Sequence, residues 1–196
     1  MGVRQTGGMS RVIAGSAGGR RLVVPTGKGT RPTSDRAREG LFSSVGSLLG
    51  SLDGARVMDL YAGSGAVGLE ALSRGAAHAL LVEADAKAVR AIRTNVKALG
   101  LPGAEVVAAK VERVVAEPCP AEPYDLVFLD PPYAVADEAV RGVLALLAEG
   151  GWLAGDALVA VERETRGGPF TWPGGFEARR DRRYGEATFW YGSPAS

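Results

Sequence analysis

The sequence predicts a doubly wound α/β domain built on a mostly parallel sheet. From Arg56 onward, short apolar runs alternate with segments of helical periodicity. Those runs are apolar on both faces, as strands covered by helices on either side must be. A turn carrying Gly63, Gly65 and Gly68 joins the first run to the first helix of the series. A chain of 196 residues, 46% hydrophobic and 23% charged, has the size and balance for one such domain with a real core.

Taken in order, the chain opens with a Gly-rich tail expected to be mobile. Arg11–Gly15 and Arg20–Val24 are strand-like runs around Ser16-Ala-Gly-Gly, the pattern of a small hairpin. A Gly/Pro/Thr-rich loop spans Pro25–Thr33. Ser34 or Asp35 then caps a helix over Arg36–Leu49, with Ala37, Leu41, Val45 and Leu48 on one side. The alternating series follows, with strands at Val57–Tyr61, Ala79–Glu83, Ala104–Ala108, Asp125–Leu129 and Ala157–Val161. Between them lie helices at Val67–Ser73, Ala86–Leu99, Val111–Ala116 and Glu138–Leu147. The tail differs: Phe176–Asp181 and Ala187–Tyr191 flank Arg182-Arg-Tyr-Gly-Glu, an antiparallel hairpin at one sheet edge. Two parts are expected, an N-terminal extension over 1–50 and the main domain over 51–196.

Composition narrows the chemistry. Cys119 is the only cysteine and His78 the only histidine, which leaves no intramolecular disulfide and no Cys- or His-built metal cluster. No metal is expected. Neither residue sits in a catalytic pattern; Cys119 lies between prolines and His78 in a helix-to-strand turn. No apolar run has the roughly 20 residues of a membrane span, and the opening residues lack the apolar stretch of a signal peptide. A cytoplasmic monomer without a membrane partner is expected. The net charge of +1 conceals a polarity: +6 over residues 1–40, −7 over 41–162 and +2 over 163–196. A basic entry segment on an acidic body suits a phosphate-bearing partner.

Asp59-Leu-Tyr-Ala-Gly-Ser-Gly-Ala-Val-Gly couples the glycine turn to a carboxylate at the end of the first strand, and Glu83 ends the second. The turn lets a ligand approach the backbone, and Glu83 is placed for ribose hydroxyls. Asp59 separates the candidate ligands. It would repel a dinucleotide pyrophosphate, whereas S-adenosylmethionine presents an ammonium and a sulfonium there. Tyr61, where a third early glycine would sit, also makes a poor pyrophosphate cradle. The candidate cofactor contacts are Asp59, Tyr61, Ala62, Gly63, Ser64, Gly65, Glu83 and Ala84, joined by Asp130. The cofactor is S-adenosylmethionine and the product S-adenosylhomocysteine.

Asp130-Pro131-Pro132-Tyr133 follows the fourth strand, at the sheet end where open α/β folds bind ligands. Two prolines stiffen the turn and remove N–H donors, leaving carbonyls and one carboxylate to accept from an amino group. Tyr133 offers a flat ring for a base. Accepting both hydrogens of an aromatic amine at Asp130 and the Pro131 carbonyl favours a pyramidal nitrogen, whose lone pair can attack a methyl group in line. No strong base is needed. Asp130, Pro131, Pro132 and Tyr133 are the catalytic candidates.

Together with Arg31-Pro-Thr-Ser-Asp-Arg-Ala-Arg-Glu-Gly-Leu-Phe, these two motifs make the chain resemble the RsmD-type bacterial 16S rRNA guanine-N2 methyltransferases, from about Arg11 through Tyr191. The Asp-Pro-Pro-Tyr motif alone is shared with DNA adenine-N6 methyltransferases; the Arg-Pro-Thr segment and the hairpin before it are more specific. The resemblance implies a class I methyltransferase fold with a seven-stranded sheet. It also implies N2-methylation of one guanine in 16S rRNA, on the small ribosomal subunit or its assembly intermediate. By position, Asp59, Gly63 and Gly65 would line the methionine end and Glu83 the ribose, while Asp130, Pro131 and Tyr133 would hold the base. Arg11, Arg20, Arg21 and Arg31 are RNA contacts inferred from charge and position. The polar residue that often faces the adenine after the third strand is missing from Ala108-Ala-Lys-Val-Glu; Lys110 or Glu112 lies nearby. The rivals are a DNA adenine-N6 methyltransferase, a dinucleotide oxidoreductase and a non-catalytic RNA-binding protein on the same scaffold. A chain this short has little room for a DNA target-recognition domain, and an exposed RNA loop needs less protein to read it.

Overall fold

The computed structural model describes residues 10–25 and 33–195; the expected N-terminal tail, most of the Pro25–Thr33 loop and Arg31 lie outside them. A two-stranded hairpin, β1 (Ser10–Arg11) and β2 (Arg21–Leu22), precedes helix α1 (Asp35–Leu48). The alternating series is β3 (Arg56–Leu60), α2 (Ala66–Ser73), β4 (His78–Glu83), α3 (Ala86–Leu99), β5 (Ala104–Ala108), α4 (Val111–Val115), β6 (Tyr124–Leu129) and α5 (Asp137–Glu149). It closes with β7 (Leu153–Glu164), β8 (Phe176–Tyr184) and β9 (Ala187–Pro194). The main sheet has seven strands in the order β5-β4-β3-β6-β7-β9-β8. β3 to β7 run parallel, and β9 pairs antiparallel with both β7 and β8.

Residues alternate across the sheet, so each strand feeds two cores. Val57 packs with Leu41, Leu69, Ile92 and Phe189 on the face covered by α1, α2 and α3. Met58 and Leu60 pack with Val111, Val140 and Leu144 under α4 and α5 on the other. The helix ends follow from local chemistry. The Ser34 side chain caps α1 by accepting from Ala37 N at 3.1 Å. Asp85 caps α3 by accepting from Lys87 N and Ala88 N, and Gly100 ends it in the left-handed conformation.

The first hairpin is shorter than its sequence pattern. Glu70 of α2, fully buried, accepts Ile13 N at 2.7 Å and Ala14 N at 3.0 Å. Asn95 of α3 accepts Val23 N at 2.7 Å. These N–H groups therefore bond side chains instead of a partner strand. Val12, Ala17 and Leu22 belong to the same core cluster as Leu41 and Val45 of α1. β7 is longer than its apolar run because Glu162 and Arg163, which read as a strand end, find partners within the fold and stay buried.

Candidate active site

The order in which strands are added reverses between β3 and β6: after β3 the chain adds strands on one side, and from β6 on the other. A cleft opens beyond the carboxyl ends of strands at such a switch. Leu60 of β3 pairs with Leu129 of β6, so the Asp59 turn and the Asp130 tetrapeptide emerge side by side. Asp130 N donates to Leu60 O at 3.2 Å.

The β3–α2 turn is held by carboxylates. Asp59, 1% exposed, accepts Gly68 N at 2.8 Å, which caps the first turn of α2 from the strand. Burial pushes its carboxyl up to about 7, against the pull of that N–H. Glu83 accepts Gly63 N, Ala84 N and Asp85 N at 2.8 Å each, joining the two adjacent βα turns. Tyr61 adopts φ 61°, a left-handed conformation that strains a bulky residue. Its hydroxyl donates to Glu112 Oε1 at 2.9 Å, and burial, then Glu112, raises its ionisation above the ordinary tyrosine range. Gly63 has φ 57° and nothing within 4 Å of where a Cβ would project, so the turn keeps an open face. Asn95 Nδ2 donates to both Val23 O and Ser64 O at 2.9 Å, tying the segment after the hairpin to this turn.

Two cavities adjoin here. The inner one, about 260 Å³, has Asp59, Tyr61, Ala62, Gly63, Ser64, Glu83 and Asp85 in its wall, and Asp130, Pro131, Pro132 and Tyr133 across from them. Gly65 and Ala84 stand outside that wall. Four carboxylates and, among the described residues, no Lys or Arg face this space. The outer cavity, about 360 Å³, is walled by Thr33, Arg36, Tyr133, Glu162, Arg183 and neighbours in α1 and the β8–β9 turn. Thr33 and Tyr133 belong to both.

Thr33 and Glu162 were not legible as site residues. Thr33 Oγ1 donates to Glu162 Oε2 at 2.8 Å and lies 3.4 Å from Asp130 Oδ2. Burial, then Glu162 and Asp59, raises Asp130 well above the usual carboxylate range. Burial pushes Glu162 up to about 7. Arg163 braces the turn from beneath by donating to Asp137 Oδ1 at 2.8 Å and to Val135 O at 2.6 Å. A charged Glu-Arg pair continuing an apolar strand beside the strand that carries the tetrapeptide was the available signal.

The basic candidates fall elsewhere. Arg11 pairs with Asp35 at 3.3 Å. Arg20 donates to Ala98 O and Leu99 O at the end of α3. Arg21 is exposed on the hairpin, and none of these three lines either cavity. His78 and Cys119 lie toward the opposite end of the sheet, His78 at the start of β4 near Tyr124 and Glu105. Among the described residues no group of three or more His, Cys, Asp or Glu is placed to hold a metal, and no helix is long and apolar enough to cross a membrane.

Comparison with known proteins agrees with this architecture. The family model described as "Conserved hypothetical protein 95" matches residues 10–193. Ribosomal RNA small subunit methyltransferase D of Escherichia coli K12 is 38% identical over 184 residues, 93% of this chain and 88% of the relative. The Haemophilus influenzae protein of the same name is 36% identical over 161 residues, 80% of each chain. A solved structure of the Escherichia coli protein yhhF superposes with a TM-score of 0.82 at 34% identity, covering 95% of this chain and 98% of that one. The protein belongs to this family of RsmD-type methyltransferases and has the class I methyltransferase fold.

Proposed function

We propose that the protein transfers a methyl group from S-adenosylmethionine to the exocyclic N2 of one guanine in 16S rRNA, on the small ribosomal subunit or an assembly intermediate. The observation that carries this reading is the junction of the two cavities at Asp130, Thr33 and Tyr133. One cavity suits the methyl donor and the other an extruded base, with the tetrapeptide between them. The names of the ribosomal RNA methyltransferase relatives support RNA as the substrate.

The residues present fit the donor. A wall of Asp59, Glu83, Asp85 and Asp130 without a described cation favours a ligand carrying positive charge and disfavours a pyrophosphate. The open face at Gly63 admits close approach of that ligand to the backbone. Asp59 would hold an ammonium, and Glu83 would accept ribose hydroxyls with its remaining lone pairs. The donor supplies a sulfonium-bound methyl, which leaves a neutral thioether behind.

Everything else falls to the chain. Pro131 and Pro132 fix the turn, and the Pro131 carbonyl and Asp130 accept the two hydrogens of the target amine. The nitrogen lone pair is thereby released from the ring and forms the new N–C bond. Asp130, whose carboxyl holds a proton well above the usual range, can take the hydrogen that the methylated nitrogen gives up. Tyr133, 41% exposed, presents its ring to the base.

Asp130→Ala tests this directly. Methyl transfer to the RNA substrate, measured at saturating cofactor, should fall by at least about 100-fold, well beyond any loss of cofactor affinity found by calorimetry. Unchanged turnover would remove Asp130 from the mechanism.

A further inference from the structure

The exocyclic amine of guanine differs from those of adenine and cytosine in its ring neighbour. Beside guanine N2 stand N1–H, a donor, on one side and bare N3 on the other. Beside the amines of adenine and cytosine stand a bare ring nitrogen and a carbon. A wall that accepts from the amine and from its ring neighbour therefore fits guanine alone of the three.

The second acceptor is present. Asp130 and Glu162 follow the paired residues Leu129 and Val161, so Asp130 stands just past the end of β6 and Glu162 within the adjacent parallel strand β7. Both carboxylates approach the Thr33 hydroxyl, which has one hydrogen to give and lies nearer to Glu162. A carboxylate can accept several hydrogen bonds, so that hydroxyl leaves Glu162 with capacity to spare. Asp130 walls the inner cavity and Glu162 the outer, where Tyr133 also lies. Arg163, the adjacent cation, is turned to Asp137 and the Val135 carbonyl. Glu162 is 4% exposed, and a carboxylate so buried carries a cost unless a donor meets it.

We propose that Glu162 is the residue that selects guanine, its carboxylate accepting N1–H of the target base while Asp130 accepts the amine to be methylated. This rests on the guanine-N2 reading above and supplies a chemical reason for it. Thr33, which lines both cavities, stands between the two carboxylates.

The test uses RNA carrying the methylated site, assembled into subunits where those are the substrate. Its target guanosine is either kept or replaced by 2-aminopurine riboside, which retains the 2-amino group beside a bare N1. The parent enzyme should lose at least about tenfold in kcat/KM on the analogue. Glu162→Gln should lose at least about tenfold on guanosine, and its guanosine-to-analogue ratio should shrink or invert because the amide can donate to N1. Equal methylation of the two substrates by the parent would overturn the proposal without recourse to any variant. So would a Glu162→Gln enzyme that binds cofactor normally and keeps the parent's ratio. Failure of the parent to form N2-methylguanosine at all would overturn the proposed function itself.

Discussion

A carboxyl group buried against an apolar wall holds its proton more tightly than one in water. Glu162 does so, at about 7 against an ordinary value of 4.5. Between those values the folded protein keeps a proton that the unfolded chain releases, so stability falls as pH rises through this window. Glu162→Gln removes that slope. Urea unfolding should find the two proteins alike near pH 4, and the variant more stable by on the order of 3 kcal/mol at pH 8. Parallel curves for parent and variant across that range would mean that Glu162 is not held this way. Asp59, the glycines and Asp130-Pro-Pro-Tyr were legible in the sequence because their chemistry is local: a carboxylate beside a turn, a turn without side chains, two fixed φ angles. Glu162 and Thr33 were not, because their meaning depends on which strand lies beside β6 and on a residue 129 positions away.

At the scale of elements, the N-terminal hairpin is fastened to α2 by few contacts. Glu70 accepts two hairpin N–H groups and Arg74 Nε at 2.8 Å. Ser73 Oγ accepts Ala17 N at 2.9 Å and donates to Ala14 O at 2.6 Å. Gly15, at φ 81°, lies so close that a Cβ would fall 1.8 Å from Ser73 O. Gly15→Ala should therefore cost about 2–3 kcal/mol through strain and displacement, and Glu70→Ala about 3–5 kcal/mol through orphaned buried partners. Denaturant titration measures both, and losses under about 1 kcal/mol would show the hairpin to be loosely attached. The sequence pattern gave away the hairpin and α2 separately. Their junction was hidden because Glu70, fully buried, looks in sequence like any solvated glutamate on a helix. Arg38 is concealed in the same way: it is also fully buried, and donates to Ser10 Oγ and to Asp35.

At the scale of the molecule, segments far apart in sequence meet at the site. Arg36 from the basic N-terminal segment and Arg183 from the β8–β9 hairpin face one outer cavity, while the inner one is acidic. The wall of the outer cavity thus joins two arginines to Glu162 and Glu186, beside a neighbour lined by four carboxylates, and the arginines can meet the phosphates of a polyanion. Replacing Arg36 and Arg183 together by Glu should weaken RNA binding. It should also make the slope of log affinity against log salt shallower by about 1.5 for two lost phosphate contacts. An unchanged slope would move the RNA surface elsewhere, with exposed Arg21 on the hairpin the next candidate. The parallel order of the sheet followed from the alternating apolar runs. The convergence of Arg36 with Arg183 did not, because only the antiparallel return of β9 beside β7 brings the last hairpin over α1.

The central claim, that this site methylates guanine N2 in ribosomal RNA, is met most directly by identifying the product. Undermethylated small subunits, naked 16S rRNA and duplex DNA are each incubated with the protein and methyl-labelled S-adenosylmethionine, digested to nucleosides and separated. Label should appear in N2-methylguanosine from an RNA substrate and not from DNA. Label in N6-methyladenine from the DNA, or no label anywhere from a protein that demonstrably binds the cofactor, would contradict that claim.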